Sequence, residues 1–290
     1  MHLMMILITL VVSWWLRSSW NQPQGNWNMR WQRSLFLFLF PPLLIFMTAI
    51  ALLFMGPQGQ MSGMYTGSVS YLLALVYLAF FAISCIKLAF QGWQSVESAR
   101  NCPLVNLGDK RARLLRTGAL FAGQIGFWQP ELVISQGLLQ TLSPNHLESV
   151  LAHEQGHHHY RDTFWFFWLG WVRSCTAWLP NTELLWEELL ALRELRADGY
   201  AALQVDPLVL AESLLLVVST SPVLSELSEI CCAALGSSGV GDAYGGLRLR
   251  LEQRIEALLA PPEPTPADQL HSWHGFMLAF LPLVTVVFHS

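Results

Sequence analysis

Two apolar segments, 34–55 and 69–90, constrain the fold of this chain more than any other feature. They read SLFLFLFPPLLIFMTAIALLFM and VSYLLALVYLAFFAISCIKLAF. Each is about as long as the ~20 residues with which a helix crosses the hydrocarbon core of a bilayer. A backbone in lipid must satisfy its own hydrogen bonds, so we predict that both segments are transmembrane helices. A helical bundle tolerates Pro41 and Pro42 in the first of them.

Two shorter apolar segments lie near the ends of the sequence. The first, 1–16, has no positive charge before its apolar run, unlike a secretory signal. The second, within 273–290, follows the proline-rich stretch PPEPTPADQ. Charged residues make up only 12% of the chain, whereas soluble proteins contain about 25%. We therefore predict a mainly α integral membrane protein with about four transmembrane helices.

Basic residues near the predicted spans set the orientation, because such residues stay on the cytoplasmic side. Arg17, Arg30 and Arg33 follow the first span, whereas the loop 56–68 after the second span contains no charge. The basic residues that follow the third span begin with Lys87 and continue through Arg100, Lys110, Arg111, Arg113 and Arg116. The expected arrangement has an external N-terminus, a cytoplasmic stretch from 91 to 272 and a final span back to the outside.

The net charge and the cysteines exclude some classes of protein. A formal net charge of -4 gives no sign of direct nucleic-acid binding. The five cysteines lack the spacing of metal ligands, so we interpret them as free thiols in a reducing compartment or in lipid. Cys231 and Cys232 are adjacent, and a buried pair is favoured over a redox switch.

The stretch 91–272 has the pattern of a small α+β domain. The segment 121–139, FAGQIGFWQPELVISQGLL, alternates loosely and predicts a short hairpin or small sheet. Ser143 and Pro144 then have the residue types of an N-cap and a first helical position, which predicts a helix to about Tyr160. Apolar spacing predicts further helices over 182–204 and 246–259.

The segment LAHEQGHHHYRD, which begins within the predicted helix from Ser143, contains four of the nine histidines. His153 and His157 are four residues apart, so both imidazoles lie on one face of the helix. With Glu154 they form the pattern H-E-x-x-H, in which two histidines bind zinc and the glutamate acts as general base. Zinc accepts neutral imidazole nitrogens in a tetrahedral set and therefore needs a further protein ligand.

A candidate for that ligand lies in the next predicted helix, in the sequence RELRADGYAA. Glu194 and Asp198 are also four residues apart. Glu194 would complete a His2Glu set for Zn²⁺, and Asp198 would accept the other ring N–H of a ligand histidine. The alternatives are that His153 and His157 are ordinary core or surface histidines and that the two acids form a solvated face.

The ligand assignment places a condition on the aromatic segment 163–179 between the two helices. A single crossing of the bilayer by this segment would put Glu194 on the opposite side from His153. The segment must therefore lie in the interface or re-enter, which its Trp residues and Arg173 favour.

Several further residues are candidates for parts of the reaction. The sequence offers four possible donors to a developing oxyanion and does not choose among them: Tyr160, Tyr200, Arg196 and His146. A strand near 132–135 is a candidate for pairing with an extended substrate. The glycine-rich stretch 236–246 is interpreted as a flexible loop, with a gate or self-cleavage site as the alternative.

These motifs resemble the BlaR/MecR-type integral-membrane metallopeptidases. The similar pieces are PELVISQGLL, LSPNHLESVLAHEQGHHHYRD, an aromatic segment that ends in WLP, and ELRAD. The resemblance implies a cytoplasmic gluzincin-type domain in a bacterial inner membrane, with His153, His157 and Glu194 as zinc ligands and Glu154 as base. It also implies cleavage of a cytoplasmic DNA-binding repressor.

The resemblance is incomplete in one respect. The β-lactam receptors of that family carry an extracellular penicillin-binding sensor domain, whereas this sequence ends at Ser290 after the last predicted span. We therefore do not predict antibiotic sensing. The E-x-x-A-D form of 194–198 also resembles the HtpX and CAAX-protease family, whose members act in membrane-protein quality control.

Three functions follow as hypotheses: a regulatory membrane protease that cuts a transcriptional repressor, a housekeeping protease of membrane proteins, and a zinc-binding signalling scaffold without activity. Glu154 argues against the scaffold, because a purely structural zinc site needs no general base.

Overall fold

The computed structural model describes residues 2–21, 25–56, 60–61, 64–65, 68–108, 110–220, 243–260, 274–284 and 286. The chain divides into two compact units. We name Met1–Ile86, Val172–Leu190 and Glu263–Ser290 the helical unit, and Lys87–Trp171 and Ala191–Pro262 the sheet unit. Cys231 and Cys232 lie outside the described residues, as does most of the glycine-rich stretch 236–246.

The chain begins with three helices: α1 (His2–Ser18), α2 (Trp27–Met55) and α3 (Ser68–Arg100). The first two and the part of α3 up to Ile86 belong to the helical unit. The two-residue strands β1 (Gln60–Met61) and β2 (Met64–Tyr65) pair between α2 and α3. By length and composition, α2 and α3 could each cross a membrane. They contain the predicted spans 34–55 and 69–90. In the most apolar window of α2, 56% of the residues are buried, against 17% in α3.

The two terminal spans predicted from the sequence correspond to shorter helices. The segment 1–16 lies in α1, which has 17 residues. Within 273–290, the described residues form α10 (His274–Met277), a 3₁₀ turn (Leu278–Phe280) and α11 (Leu281–Val284). A total of about four spans therefore stays a prediction.

A fully buried arginine organises the start of the helical unit. The sequence analysis placed Arg17 after the first span, but the structure places it in the last turn of α1 with no exposed surface. Pro42 lacks an N–H and leaves the Phe38 carbonyl of α2 without its helical donor. Arg17 Nη2 donates to that carbonyl at 3.1 Å, and Nη1 donates to Thr182 Oγ1 at 3.2 Å. The cation thus stabilises a helix that two prolines interrupt.

The sheet unit contains a four-stranded sheet of order β3-β4-β6-β5. The strands are β3 (Leu104–Leu107), β4 (Lys110–Leu115), β5 (Ala122–Ile125) and β6 (Glu131–Ser135). β4 and β6 run parallel, and the other neighbours are antiparallel. The predicted hairpin in 121–139 is confirmed as β5 and β6, followed by the short helix α4 (Gln136–Thr141).

Helices form the remainder of the described sheet unit and connect it to the helical unit. They are α5 (Pro144–His159), α6 (Asp162–Thr176), α7 (Thr182–Ala201), α8 (Pro207–Thr220) and α9 (Ala243–Leu259). The predicted start of α5 is confirmed, because the Ser143 side chain accepts from the His146 N–H. α6 has 15 residues, fewer than the ~20 of a full crossing.

The two faces of the sheet carry different helices. Side chains alternate along a strand, so Ile134 and Val133 of β6 point to opposite faces. Ile134 belongs to a core that includes Val150 of α5. Val133 belongs to a core with Ile125 of β5 and Ala99 of α3. The sheet therefore lies between the helix with the histidine motif and the end of α3.

The contact between Arg17 and Phe38 leads to the first prediction. Arg17→Met should lower the free energy of unfolding by about 1–3 kcal/mol, because the Phe38 carbonyl loses its donor. In a Pro42→Ala background this loss should be smaller, since the substituted alanine supplies a helical N–H to the same carbonyl. Unfolding of the four proteins in detergent, analysed as a double-mutant cycle, measures the difference.

Pro41→Ala is the matched control, because it restores a donor to the Leu37 carbonyl instead. An equal cost of Arg17→Met in the Pro42→Ala and wild-type backgrounds would contradict the role assigned to the arginine.

Candidate metal centre

Two histidines one turn apart on α5 face the same point. The rings of His153 and His157 are perpendicular, with centroids 4.7 Å apart. Their Nε2 atoms approach to 3.1 Å. His153 and the adjacent Glu154 are buried. The i, i+4 spacing on a regular helix accounts for this approach.

Helix α7 brings a carboxylate to the same point. Glu194 Oε2 lies 3.4 Å from His153 Nε2, and its Oε1 lies 3.7 Å from His157 Nε2. Among the described residues, His153, His157 and Glu194 form the group whose ligand atoms lie close enough to hold one metal ion.

The other ring nitrogen of each histidine faces an aspartate. His153 Nδ1 is 2.8 Å from Asp198 Oδ1, and His157 Nδ1 is 2.7 Å from Asp162 Oδ2. A carboxylate can only accept, so each Nδ1 carries the proton in a neutral ring. Both Nε2 lone pairs then point at one another and at Glu194. The aspartates thereby select the tautomer that a metal ligand requires.

This donor set fits zinc. Two lone pairs and a carboxylate at this separation repel one another unless a cation lies among them. Zinc bonds of ~2.0–2.1 Å in a tetrahedron would separate neighbouring ligand atoms by about 3.3 Å, close to the separations above. Two imidazoles and one carboxylate are a known catalytic zinc set that leaves the fourth position open.

Positive side chains keep Glu194 ionised. Burial alone would raise the pKa of Glu194, but the charge of Arg193 and the contacts with His157 and His153 hold it well below its ordinary value. Arg193 Nη2 lies 2.6 Å from Glu194 Oε1, and Arg254 Nη1 lies 3.3 Å from Oε2. The carboxylate is therefore available as an anionic ligand.

The metal-free site has a high affinity for protons. Burial alone would lower the pKa of His153, but Asp198 and Glu194 raise it to about 9. A metal ion that binds the Nε2 atom of this ring must therefore displace a proton near neutral pH.

Arg254 of α9 is a site residue that the sequence analysis missed. Its Nε and Nη2 atoms donate to the two oxygens of Asp198 at 2.6 and 2.8 Å. Burial alone would lower the pKa of Arg254, whereas Asp198, Glu194 and the charge of Glu154 raise it above its ordinary value. The helix 246–259 was predicted correctly, but nothing in its sequence distinguished this arginine from its neighbours.

A glycine allows α5 and α7 to approach closely beside the ligands. A Cβ atom at Gly156 would lie 3.1 Å from both the Cα atom and the carbonyl oxygen of Ala197. Gly156 is adjacent to His157, and Ala197 is adjacent to Asp198. The absence of a side chain thus sets the distance between the helix that carries the histidines and the helix that carries the acids.

Asp162 joins the site through the first turn of α6. Besides His157, it contacts Arg196 Nη2. Arg196 also lies over the Tyr160 ring, 4.2 Å from its centroid. This predicted oxyanion donor therefore directs its charge to Asp162. The sequence could suggest Asp162 only by its position five residues after His157.

The other oxyanion candidates lie in separate contacts. The Tyr200 ring stacks on His159 with centroids 4.8 Å apart, and Tyr160 packs against both rings. His146 contacts Ser143 and Glu212, and it precedes His153 by about 10 Å of helix rise. The described contacts do not bring His146 to the metal-binding group.

The substrate-pairing strand needs correction. The sequence suggested 132–135, but β6 is hydrogen-bonded on both sides, to β4 and to β5. It has no free edge for another strand. β5 is the edge strand on this side of the sheet, and Gln124 Nε2 donates to the Glu154 carbonyl oxygen at 3.4 Å. Strand order depends on long-range pairing, which alternation along one strand does not reveal.

Comparison with known proteins agrees with this site. Residues 111–223 match the model of Peptidase family M48, a range that contains the histidine motif, Glu194 and Asp198. No curated protein and no solved structure matches the chain. The M48 match, together with the His-His-Glu group, identifies the protein as a zinc metallopeptidase.

Gly156→Val should weaken zinc binding by about tenfold or more, because the added side chain pushes Ala197 and its helix away from the histidines. Gly199→Val is the matched control, since a Cβ atom at Gly199 meets nothing within 4 Å. Titration with a competing chelator measures both affinities. Equal losses in the two variants would mean that helix propensity, not the approach at Gly156, is responsible.

Arg254→Met should lower zinc affinity by about 10–100-fold, because Asp198 would be left buried without its bidentate partner. Arg254→Lys keeps the charge but loses the planar fork, so its zinc affinity should lie between those of Arg254→Met and the wild type. Zinc competition assays with circular dichroism as the folding control test this order. Wild-type affinity in a folded Arg254→Met variant would remove the arginine from the site.

Proposed function

We propose that this zinc metallopeptidase, whose residues 111–223 form an M48 domain, is a membrane-embedded endopeptidase that cleaves a cytoplasmic regulatory protein. The convergence of His153, His157 and Glu194 on one point carries the peptidase assignment. The more specific part of the proposal is that the substrate is a cytoplasmic regulatory protein.

His153, His157 and Glu194 would hold the Zn²⁺ ion, which supplies Lewis acidity to a water molecule and to the scissile carbonyl. Glu154 follows His153 directly on α5 and is buried beside the site. We assign to it the role of general base, which takes a proton from the attacking water and returns it to the leaving amine. Asp198 and Asp162 orient the two rings.

The free edge of β5 would hold the substrate. An extended peptide that pairs with an edge strand gains backbone hydrogen bonds and presents alternate side chains to the enzyme. Gln124 of β5 bonds to the backbone of Glu154, so a peptide on this edge would run past the proposed base. Of the earlier oxyanion candidates, Tyr160, Tyr200 and Arg196 stay open, and His146 is the least favoured because of its distance along α5.

The surface of α3 supports membrane embedding. Large apolar side chains along this helix are exposed, among them Val69, Leu72, Leu73, Val76, Ile83 and Ile86. A contiguous apolar surface of this kind is typical of contact with lipid or protein. Basic residues follow this helix in the sequence, which favours a cytoplasmic domain from 91 to 272 and an external N-terminus. We retain the interfacial or re-entrant assignment of 163–179.

Regulatory cleavage is preferred because the motifs resemble the BlaR/MecR-type peptidases, whose members cut cytoplasmic DNA-binding repressors. The E-x-x-A-D form of 194–198 favours quality control of membrane proteins as a second candidate. The two differ in substrate: a regulator is cut at one site in its folded state, whereas quality control selects unfolded or damaged chains. A non-catalytic scaffold is disfavoured by Glu154.

Glu154→Gln should retain zinc and lose cleavage, because the amide cannot accept the proton of the attacking water. Glu148→Gln, an exposed change on the same helix, should keep both. Zinc content and hydrolysis of an unfolded protein in detergent are measured on each, beside Glu194→Ala, which should lose zinc. Turnover near wild type in Glu154→Gln would remove Glu154 from the mechanism, and undiminished zinc in Glu194→Ala would break the ligand set.

A further inference from the structure

An aromatic patch lies on the sheet unit where the β5–β6 turn meets α6. We define the aromatic patch as Phe127, Trp128, Phe164, Trp165, Phe167 and Trp168. The Phe127 ring contacts the rings of Phe164 and Phe167, both at 4.9 Å between centroids. Trp128 contacts Phe164 at 5.3 Å. The turn and the helix therefore present one continuous surface of rings.

Much of the aromatic patch faces outward. Trp128 is 76% exposed, Trp165 56% and Trp168 38%. None of its members carries a charge. A soluble surface seldom exposes so many large rings together, and such a surface marks contact with a membrane or a protein. Tryptophan is enriched at the interface of a bilayer, where its ring meets lipid and its N–H meets water.

The turn that carries Phe127 and Trp128 is attached to the last turn of α3 at both of its ends. Ile125, just before the turn, packs in one core with Ala99. Glu131, just after the turn, accepts a bond from Arg100 Nε at 3.2 Å. The position of the turn therefore follows the end of α3.

The length of α3 places its end close to a membrane surface. A crossing takes about 20 residues, so a span that begins near Ser68 leaves the hydrocarbon near Lys87. Phe90 and Trp93 follow, both exposed, with rings 5.9 Å apart. They have the position of an interfacial aromatic belt. Ala99 lies about 9 Å of helix rise beyond Trp93 and about 18 Å beyond Lys87.

We infer that the aromatic patch inserts into the interfacial layer of the bilayer from which α3 emerges. The attachment of the turn to the last turn of α3 argues for lipid rather than substrate. The basic residues Lys87 and Arg100 of the same helix suit an anionic membrane surface. This inference rests on the membrane location proposed above. Its consequence is that β5 and the metal centre are held at the membrane, so the enzyme cuts chains close to the bilayer.

Site-directed spin labelling of the full chain tests this inference. The five native cysteines are replaced by alanine, and single cysteines are introduced by Trp128→Cys, Val76→Cys and Leu203→Cys. Val76 is an exposed residue of α3, and Leu203 is an exposed residue of the sheet unit that lies outside the aromatic patch. In nanodiscs of phosphatidylcholine and phosphatidylglycerol, collisions with oxygen and with a water-soluble nickel chelate report the surroundings of each label.

The expected result is that the labels at 76 and 128 collide more often with oxygen and less often with the nickel chelate than the label at 203 does. Nickel access at 128 equal to that at 203, with 76 in lipid, would overturn the inference and leave the membrane span intact. Nickel access at 76 would overturn the span and the inference together. Zinc content and cleavage, measured separately in detergent, decide the peptidase assignment in every case.

A second measurement uses tryptophan fluorescence in the chain with its native cysteines. The contribution of Trp128 is the difference between the wild type and Trp128→Phe, and in nanodiscs with brominated acyl chains this contribution should be quenched. The fluorescence that Leu203→Trp adds should not be quenched. Shielding of position 128 that appears only when an apolar peptide is added would assign the aromatic patch to substrate and overturn the inference.

Discussion

The metal-binding capacity of the site comes from three electron-rich groups that the fold holds close together and that repel one another. The Nε2 atoms of His153 and His157 and the carboxylate of Glu194 converge with separations of 3.1–3.7 Å. When both rings are neutral and protonated on Nδ1, none of the three atoms carries a donor, so a positive charge at the centre, a proton or a metal ion, completes the arrangement. The folded chain thus positions the ligands before the metal binds, which makes binding more favourable.

Charge alternates outward from this centre. Aspartates contact the Nδ1 atoms, and arginines contact the aspartates in turn: Arg254 on Asp198 and Arg196 on Asp162. Each buried carboxylate therefore has a positive neighbour, without which its desolvation would be costly. The outer arginines come from α7 and α9, so packing of these helices and formation of the metal site are coupled.

The sequence revealed those parts of the site that depend on spacing within one helix. His153, Glu154 and His157 share a face by periodicity, and Glu194 was found because it repeats that spacing with Asp198. Contacts between distant elements were not readable. Arg254 is one of several arginines on its helix, and only tertiary packing selects it. The burial of Arg17 and the position of β6 inside the sheet were missed for the same reason. The donor to a carbonyl that a proline leaves unbonded, and the order of strands in a sheet, both depend on residues far away in the sequence.

β5 connects the proposed membrane contact to the proposed base. Adjacent residues of a strand point to opposite faces, and here Ile125 packs with Ala99 of α3 while Gln124 bonds to the backbone of Glu154 on α5. Any shift of this strand against α3 would therefore move the substrate edge and the catalytic helix together. The continuation of α3 to Ala99 would fix the distance between its proposed exit from the bilayer and this strand. The proposed preference for cleavage sites near the membrane then follows from a single continuous helix and one short strand.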